Sequence, residues 1–126
     1  MLKLLAVGVG GFLGAVARYG LSGWVHRYAG ASFPAGTLAV NVFGCFLIGV
    51  LMTLVEDRPL LSPETRMFLT VGLLGSFTTF STVAFETFEM LRDRNPWVAG
   101  LNVAANLLVG LGAVWLGRAA VRALGG

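Results

Sequence analysis

The side chains in this 126-residue chain that could do chemistry are mostly uncharged. They concentrate in one string, Gly72-Leu73-Leu74-Gly75-Ser76-Phe77-Thr78-Thr79-Phe80-Ser81-Thr82, with two glycines and five hydroxyl residues in eleven positions. Three asparagines stand in otherwise apolar sequence: Asn41, and Asn102 with Asn106, whose i,i+4 spacing puts both on one face of a helix. Arg18 is the one charge set well inside a long apolar run. Hydroxyls and amides offer neutral donors beside acceptors. Buried together, they either line a polar path for an ion or bond helices to one another. Arg18 either snorkels to the membrane surface or marks the mouth of an anion route. Glu86 and Glu89 stand close enough to a helix end to read as interfacial acids.

Other chemistry finds little support. His26 is the only histidine, without Cys, Asp or Glu at ligand spacing, so no catalytic dyad or transition-metal cluster assembles and an enzyme is not indicated. Cys45 is the only cysteine and lies in an apolar stretch, so no intrachain disulfide forms. The run from Gly8 to Gly14 misses the G-x-G-x-x-G spacing of a dinucleotide loop and has no acid about 20 residues on. Gly10/Gly14 and Gly11/Ala15 read instead as small-xxx-small packing faces. The formal charge is +3, but the basic residues are scattered, so nucleic acid is not an expected partner.

The elements that must position these residues follow from the charge gaps. Hydrophobic residues make up 56% of the chain and charged ones 12%, where a soluble domain carries about 25% charge. The uncharged gaps are 28 residues long after Arg27, 19 after Arg66 and 23 after Arg94. A transmembrane helix needs about 20 mostly apolar residues, so each gap spans or nearly spans a bilayer. The segment from Leu2 to about Trp24 adds a fourth, and lacking an A-x-A-like cleavage site it is expected to be retained. Ser62-Pro63-Glu64 and Asn95-Pro96 are helix-start signals, and Pro34 opens another. Trp24, Tyr28, Trp97 and Trp115 fall near helix ends, at headgroup level. The expectation is an all-α integral membrane protein, one domain of four transmembrane helices at about 2–26, 33–55, 63–92 and 96–122. Membrane lipid is its surroundings, and a multi-pass place in the plasma membrane (the inner membrane of a Gram-negative cell) its location.

The third helix is longer than a membrane requires. Thirty residues would run about 45 Å, against a hydrocarbon core of roughly 30 Å. Its middle is the glycine- and hydroxyl-rich string, where a break is expected. Discontinuous helices at the midplane are where transporters and channels hold ions. With four helices, Lys3, Arg58, Arg66, Arg118 and Arg122 fall on one side; Arg27, Arg92 and Arg94, with Arg18 as a fourth, fall on the other. This weak bias fits either a chain inserted both ways up, pairing antiparallel with itself, or a single orientation that the count does not resolve.

Gly10-Gly11-Phe12-Leu13-Gly14-Ala15 with Arg18-Tyr19, Gly36-Thr37-Leu38 with Asn41-Val42 and Gly44, and Gly75 with Thr78-Thr79-Phe80-Ser81-Thr82 resemble the CrcB/Fluc fluoride channels. The resemblance extends over all four helices, and the T-T-F-S-T string is its specific part. It implies an antiparallel dual-topology dimer with two fluoride pores, passive export that lowers cytoplasmic fluoride and its toxicity, and a structural sodium ion on the dimer axis. The positions matching the sodium site are Gly75 and Thr78, through backbone carbonyls. Asn41, Phe80, Ser81 and Thr82 match the fluoride pathway, Asn106 falls where the family often has a serine, and Arg18 matches the arginine near the pore entrance. One departure is Val83, where the family's string usually ends in a second phenylalanine, so the partner is either a second copy or a related subunit. Two other readings stay open. A small multidrug exporter shares the architecture but relies on a glutamate in its first helix, and here the first acid is Glu56. A non-conducting assembly subunit would use the same asparagines purely as helix glue.

Overall fold

The structure, a computed structural model, describes residues 1–58 and 60–125. Among these residues four helices are long and apolar enough to cross a membrane: α1 (Leu2–Ala29), α2 (Ala35–Asp57), α3 (Pro63–Arg92) and α4 (Pro96–Gly125). Their starts follow local chemistry. Ser62 caps α3, its hydroxyl accepting from the Thr65 N–H, with Pro63 in the first turn, where its missing N–H costs nothing. Asn95 caps α4 in the same way through the Val98 N–H. The ends lie up to three residues beyond the expected ones. α1 runs on to Gly30, whose φ of 81° needs a residue without Cβ. α4 runs to Gly125.

The third helix is broken, as the glycine and hydroxyl cluster suggests. Its first part, residues 63–77, includes a π-helical stretch at Phe68–Leu74. Thr78 and Thr79 are then extended, at φ/ψ of −85°/156° and −150°/116°. The second part, Phe80–Arg92, restarts under a Thr79 cap whose hydroxyl accepts from the Thr82 N–H at 3.3 Å. A second π-helical stretch, Ala105–Val109, carries Asn106 in α4. Such stretches shift the side-chain register by widening the turn, and they recur at functional sites.

Glycine lets these helices meet backbone to backbone. Gly10 and Gly14 of α1 are buried against Phe68, Gly72 and Leu73 of α3, the packing that their small-xxx-small spacing implies. Gly49 of α2 and Gly117 of α4 form a second such contact, where a methyl on either would strike a carbonyl, of Val114 or of Phe46. Without a hydrophobic drive between helices in lipid, this close approach helps to hold them together. Thr53, fully buried one turn on, returns its hydroxyl to the Gly49 carbonyl at 2.8 Å. We expect Gly49→Ala to cost about 1–3 kcal/mol by overpacking, read as a lower melting temperature of the purified protein. Unchanged melting would show that α2 and α4 part without penalty.

Candidate functional site

The break is held open by a side chain from another helix. Asn41, two turns into α2, pairs with both backbone polar groups of Thr79: its Oδ1 accepts the Thr79 N–H at 2.8 Å, and its Nδ2 donates to the Thr79 carbonyl at 3.1 Å. The amide thus imitates a strand neighbour for one residue of extended chain. Gly44, one turn further along α2, makes room for the Thr78 methyl and the Phe77 ring. Thr78 folds its hydroxyl back onto the Leu74 carbonyl at 3.1 Å.

This latch takes two amide hydrogens away from the helix ladder. In an unbroken helix the Thr79 N–H would donate to the Gly75 carbonyl, and it goes to Asn41. The Thr82 N–H would donate to the Thr78 carbonyl, and it goes to the Thr79 hydroxyl. The carbonyls of Gly75 and Thr78 therefore lose their i+4 partners at mid-helix. Gly75 is itself exposed on the surface of the single chain.

From Asn41 a polar line continues across α4. Its Nδ2 also donates to Asn106 Oδ1 at 3.0 Å. Asn106 Nδ2 donates to the Asn102 side-chain and backbone oxygens at 3.1 and 2.9 Å. Asn102, wholly buried, donates to Thr87 Oγ1 at 3.0 Å. Thr87 donates to the Val83 carbonyl at 2.7 Å. The i,i+4 spacing of Asn102 and Asn106 shows in the sequence; Thr87 as the partner of Asn102 does not, because that bond joins two different helices.

The expected site residues divide into two places. Asn41, Gly75, Thr78, Phe80 and Asn106 line one groove of about 740 Å³ over the break. Ser81 and Thr82 sit beside it, joined through Thr79, whose hydroxyl lies 2.9 Å from Thr82 Oγ1 and 3.4 Å from Ser81 Oγ. Phe80 projects away from the chain, 85% exposed, and Ser81 is exposed as well. Val83 is buried within its own chain, and Phe85 points outward.

Arg18 lies elsewhere, in a cavity of about 730 Å³ that it shares with His26, Thr37 and Glu86. Glu86 is more than an interfacial acid, since the Thr37 hydroxyl donates to its Oε1 at 2.6 Å. Arg18 Nε and Glu86 Oε2 are buried with no hydrogen-bond partner among the described residues. Among those residues no three His, Cys, Asp or Glu side chains gather at metal-binding distance.

Residues 5–118 match the family described as CrcB-like protein, Camphor Resistance (CrcB). The chain is 49% identical over 124 residues to a fluoride-specific ion channel FluC of Geobacter sulfurreducens, covering 98% of this chain and all of the relative. It is 47% identical over 122 residues to the FluC channel of Geotalea daltonii, covering 97% and 98%. The fluoride-specific ion channel FluC 1 of Methanosarcina acetivorans is 47% identical over 118 residues, covering 94% and 89%. With the match running through all four helices and the break within α3, this chain belongs to the CrcB family.

Proposed function

We propose that the chain is a plasma-membrane fluoride channel that lets the ion leave the cell down its gradient, built as an antiparallel dual-topology dimer. The observation that carries this reading is the break at Thr78–Thr79, latched by Asn41 and edged by the exposed Phe80 and Ser81. The relatives named fluoride-specific ion channels support the choice of ion. Fluoride is small and strongly hydrated, so a pore must replace water's donors at close range without a trapping charge. The hydroxyls of Ser81 and Thr82 and the amides of Asn41 and Asn106 are neutral donors of that kind. Phe80 adds the positive edge of its ring. Val83 adds none, so one aromatic edge serves where the family's string supplies two. Arg18, in its separate cavity, draws anions toward the entrance.

The dimer follows from the cost of exposed backbone. Carbonyls without partners cannot face hydrocarbon, where each costs several kcal/mol, so broken helix at this depth is buried in protein or lines a polar cavity. Gly75, exposed on the single chain, is covered by a second copy or by a related subunit. The carbonyls of Gly75 and Thr78, deprived of their amide partners, suit a sodium ion, a hard cation that prefers oxygen. Bound there, the ion would neutralise the dipoles meeting at the dimer axis.

Vesicles loaded with fluoride and containing only this protein test the function. Efflux followed with a fluoride electrode is expected for the wild type, and Phe80→Ile is expected to slow it about fivefold or more, since the lost edge contact is worth roughly 1 kcal/mol or more away from water. No efflux from the wild type, alone or with a related subunit, would overturn the reading.

A further inference from the structure

The polar line through the asparagines runs in one direction only, and both of its ends are fixed by backbone of the same helix segment. At one end the Thr79 N–H can only donate, so Asn41 must turn its oxygen toward it. The Asn41 nitrogen then faces Asn106 Oδ1, and the Asn106 nitrogen faces Asn102 Oδ1. At the other end the Val83 carbonyl can only accept, so the Thr87 hydroxyl donates to it and turns a lone pair to Asn102 Nδ2. Four side chains from three helices thus close a circuit from the backbone of residue 79 to that of residue 83.

The hydrogens are almost fully committed. Asn41 Nδ2 spends both, on the Thr79 carbonyl and Asn106. Asn106 Nδ2 spends both on Asn102. An anion in the groove can therefore take an amide hydrogen only in exchange for a neutral oxygen. That exchange favours the anion, because a charge-assisted hydrogen bond is about twice as strong as a neutral one. When the ion leaves, the hydrogen returns to its oxygen. Reversing the sense of the Asn106 amide would turn an oxygen lone pair toward the ion in place of a hydrogen.

We infer that Thr87 and Asn102 are positioning residues for anion passage, which fix the sense of the Asn106 amide and so keep donors facing the ion's path. The inference rests on the conducting reading given above, but the circuit can be tested apart from flux. Thr87→Val keeps the side-chain shape and removes the acceptor, leaving Asn102 Nδ2 free to turn. Thr87→Ser keeps the hydroxyl.

The first measurement is the side-chain amide resonances of Asn106 and Asn41 in ¹⁵N-labelled protein in micelles. We expect those of Asn106 to move or broaden in Thr87→Val and to stay in place in Thr87→Ser. The second is fluoride efflux from vesicles, expected to fall about tenfold or more in Thr87→Val, as for one lost buried hydrogen bond. Thr87→Ser should stay within about twofold of wild type. Unmoved resonances in Thr87→Val overturn the circuit whatever the flux. Moved resonances with wild-type flux overturn its role in passage. Moved resonances in Thr87→Val, with a wild-type protein that passes no fluoride, overturn the channel reading, not the circuit. If Thr87→Val does not assemble, Thr87→Ala lacks the acceptor without adding bulk and is read in its place by the same outcomes.

Discussion

Fluoride efflux is expected to fall by more than about a hundredfold when Asn41 is replaced by Leu. Leu is close to Asn in size, so the loss is one of hydrogen bonds. Three go at once: from the Thr79 N–H, to the Thr79 carbonyl, and to Asn106. Each buried group left without a partner costs about 1–3 kcal/mol, and two of these belong to the peptide that forms the break. About 2.7 kcal/mol already equals a hundredfold. The Thr79 peptide would then recover its bonds by closing the helix, so that Thr79 N–H returns to Gly75 and the groove loses its shape.

Asn41→Asp separates the donors from the space. It keeps an oxygen for the Thr79 N–H but loses both donated hydrogens, and as a carboxylate it would repel the permeant anion. It should therefore fail about as badly as Leu. Efflux through either variant at the wild-type rate, with the dimer intact by size-exclusion chromatography, would show that the latch does not shape the path.

The latch also marks where sequence stops being informative. The helices are legible because charge gaps and capping residues are local signals: Ser62-Pro63 and Asn95-Pro96 start helices in the structure where they read as starts. That α3 breaks is legible too, because glycines and hydroxyls crowd its middle. Its position between Phe77 and Phe80 is not, since Asn41 chooses it from 38 residues away. Asn102 and Asn106 announce a shared face, yet Thr87, which ends their line, looks like any helix threonine. Glu86 reads as an ordinary acid near a helix end until Thr37, 49 residues away, is found bonded to it. The exposure of Phe80 is of another kind. At 85% exposed, most of its ring meets nothing in the single chain, so what packs on it is read neither from sequence spacing nor from the fold of one copy.

Gly75→Leu is expected to dissociate the proposed dimer while leaving the subunit folded. Within the chain the substitution has room: a Cβ at Gly75 meets only the Thr70 carbonyl, at 3.6 Å, an ordinary contact. Gly75 has helical φ/ψ of −62°/−33°, where Leu is a better helix former than Gly by roughly 0.5–1 kcal/mol. Considered alone, the chain should gain stability. Any loss must then arise outside it, where in the proposed dimer the exposed glycine and its freed carbonyl would meet a second copy. Overpacking at such a contact costs about 1–3 kcal/mol, enough to lower the association constant roughly tenfold or more. Size-exclusion chromatography with light scattering should show monomer, circular dichroism should show unchanged helicity, and efflux should disappear with the dimer. The same assay reaches the proposed sodium ion. Exchanging sodium for a large organic cation should weaken the wild-type dimer and leave Gly75→Leu no weaker than before, because the variant has already lost the contact that the ion bridges. A wild-type dimer indifferent to sodium would remove the ion from the interface. A Gly75→Leu protein that stays dimeric and conducts would show that the freed carbonyls turn inward, toward the chain's own groove.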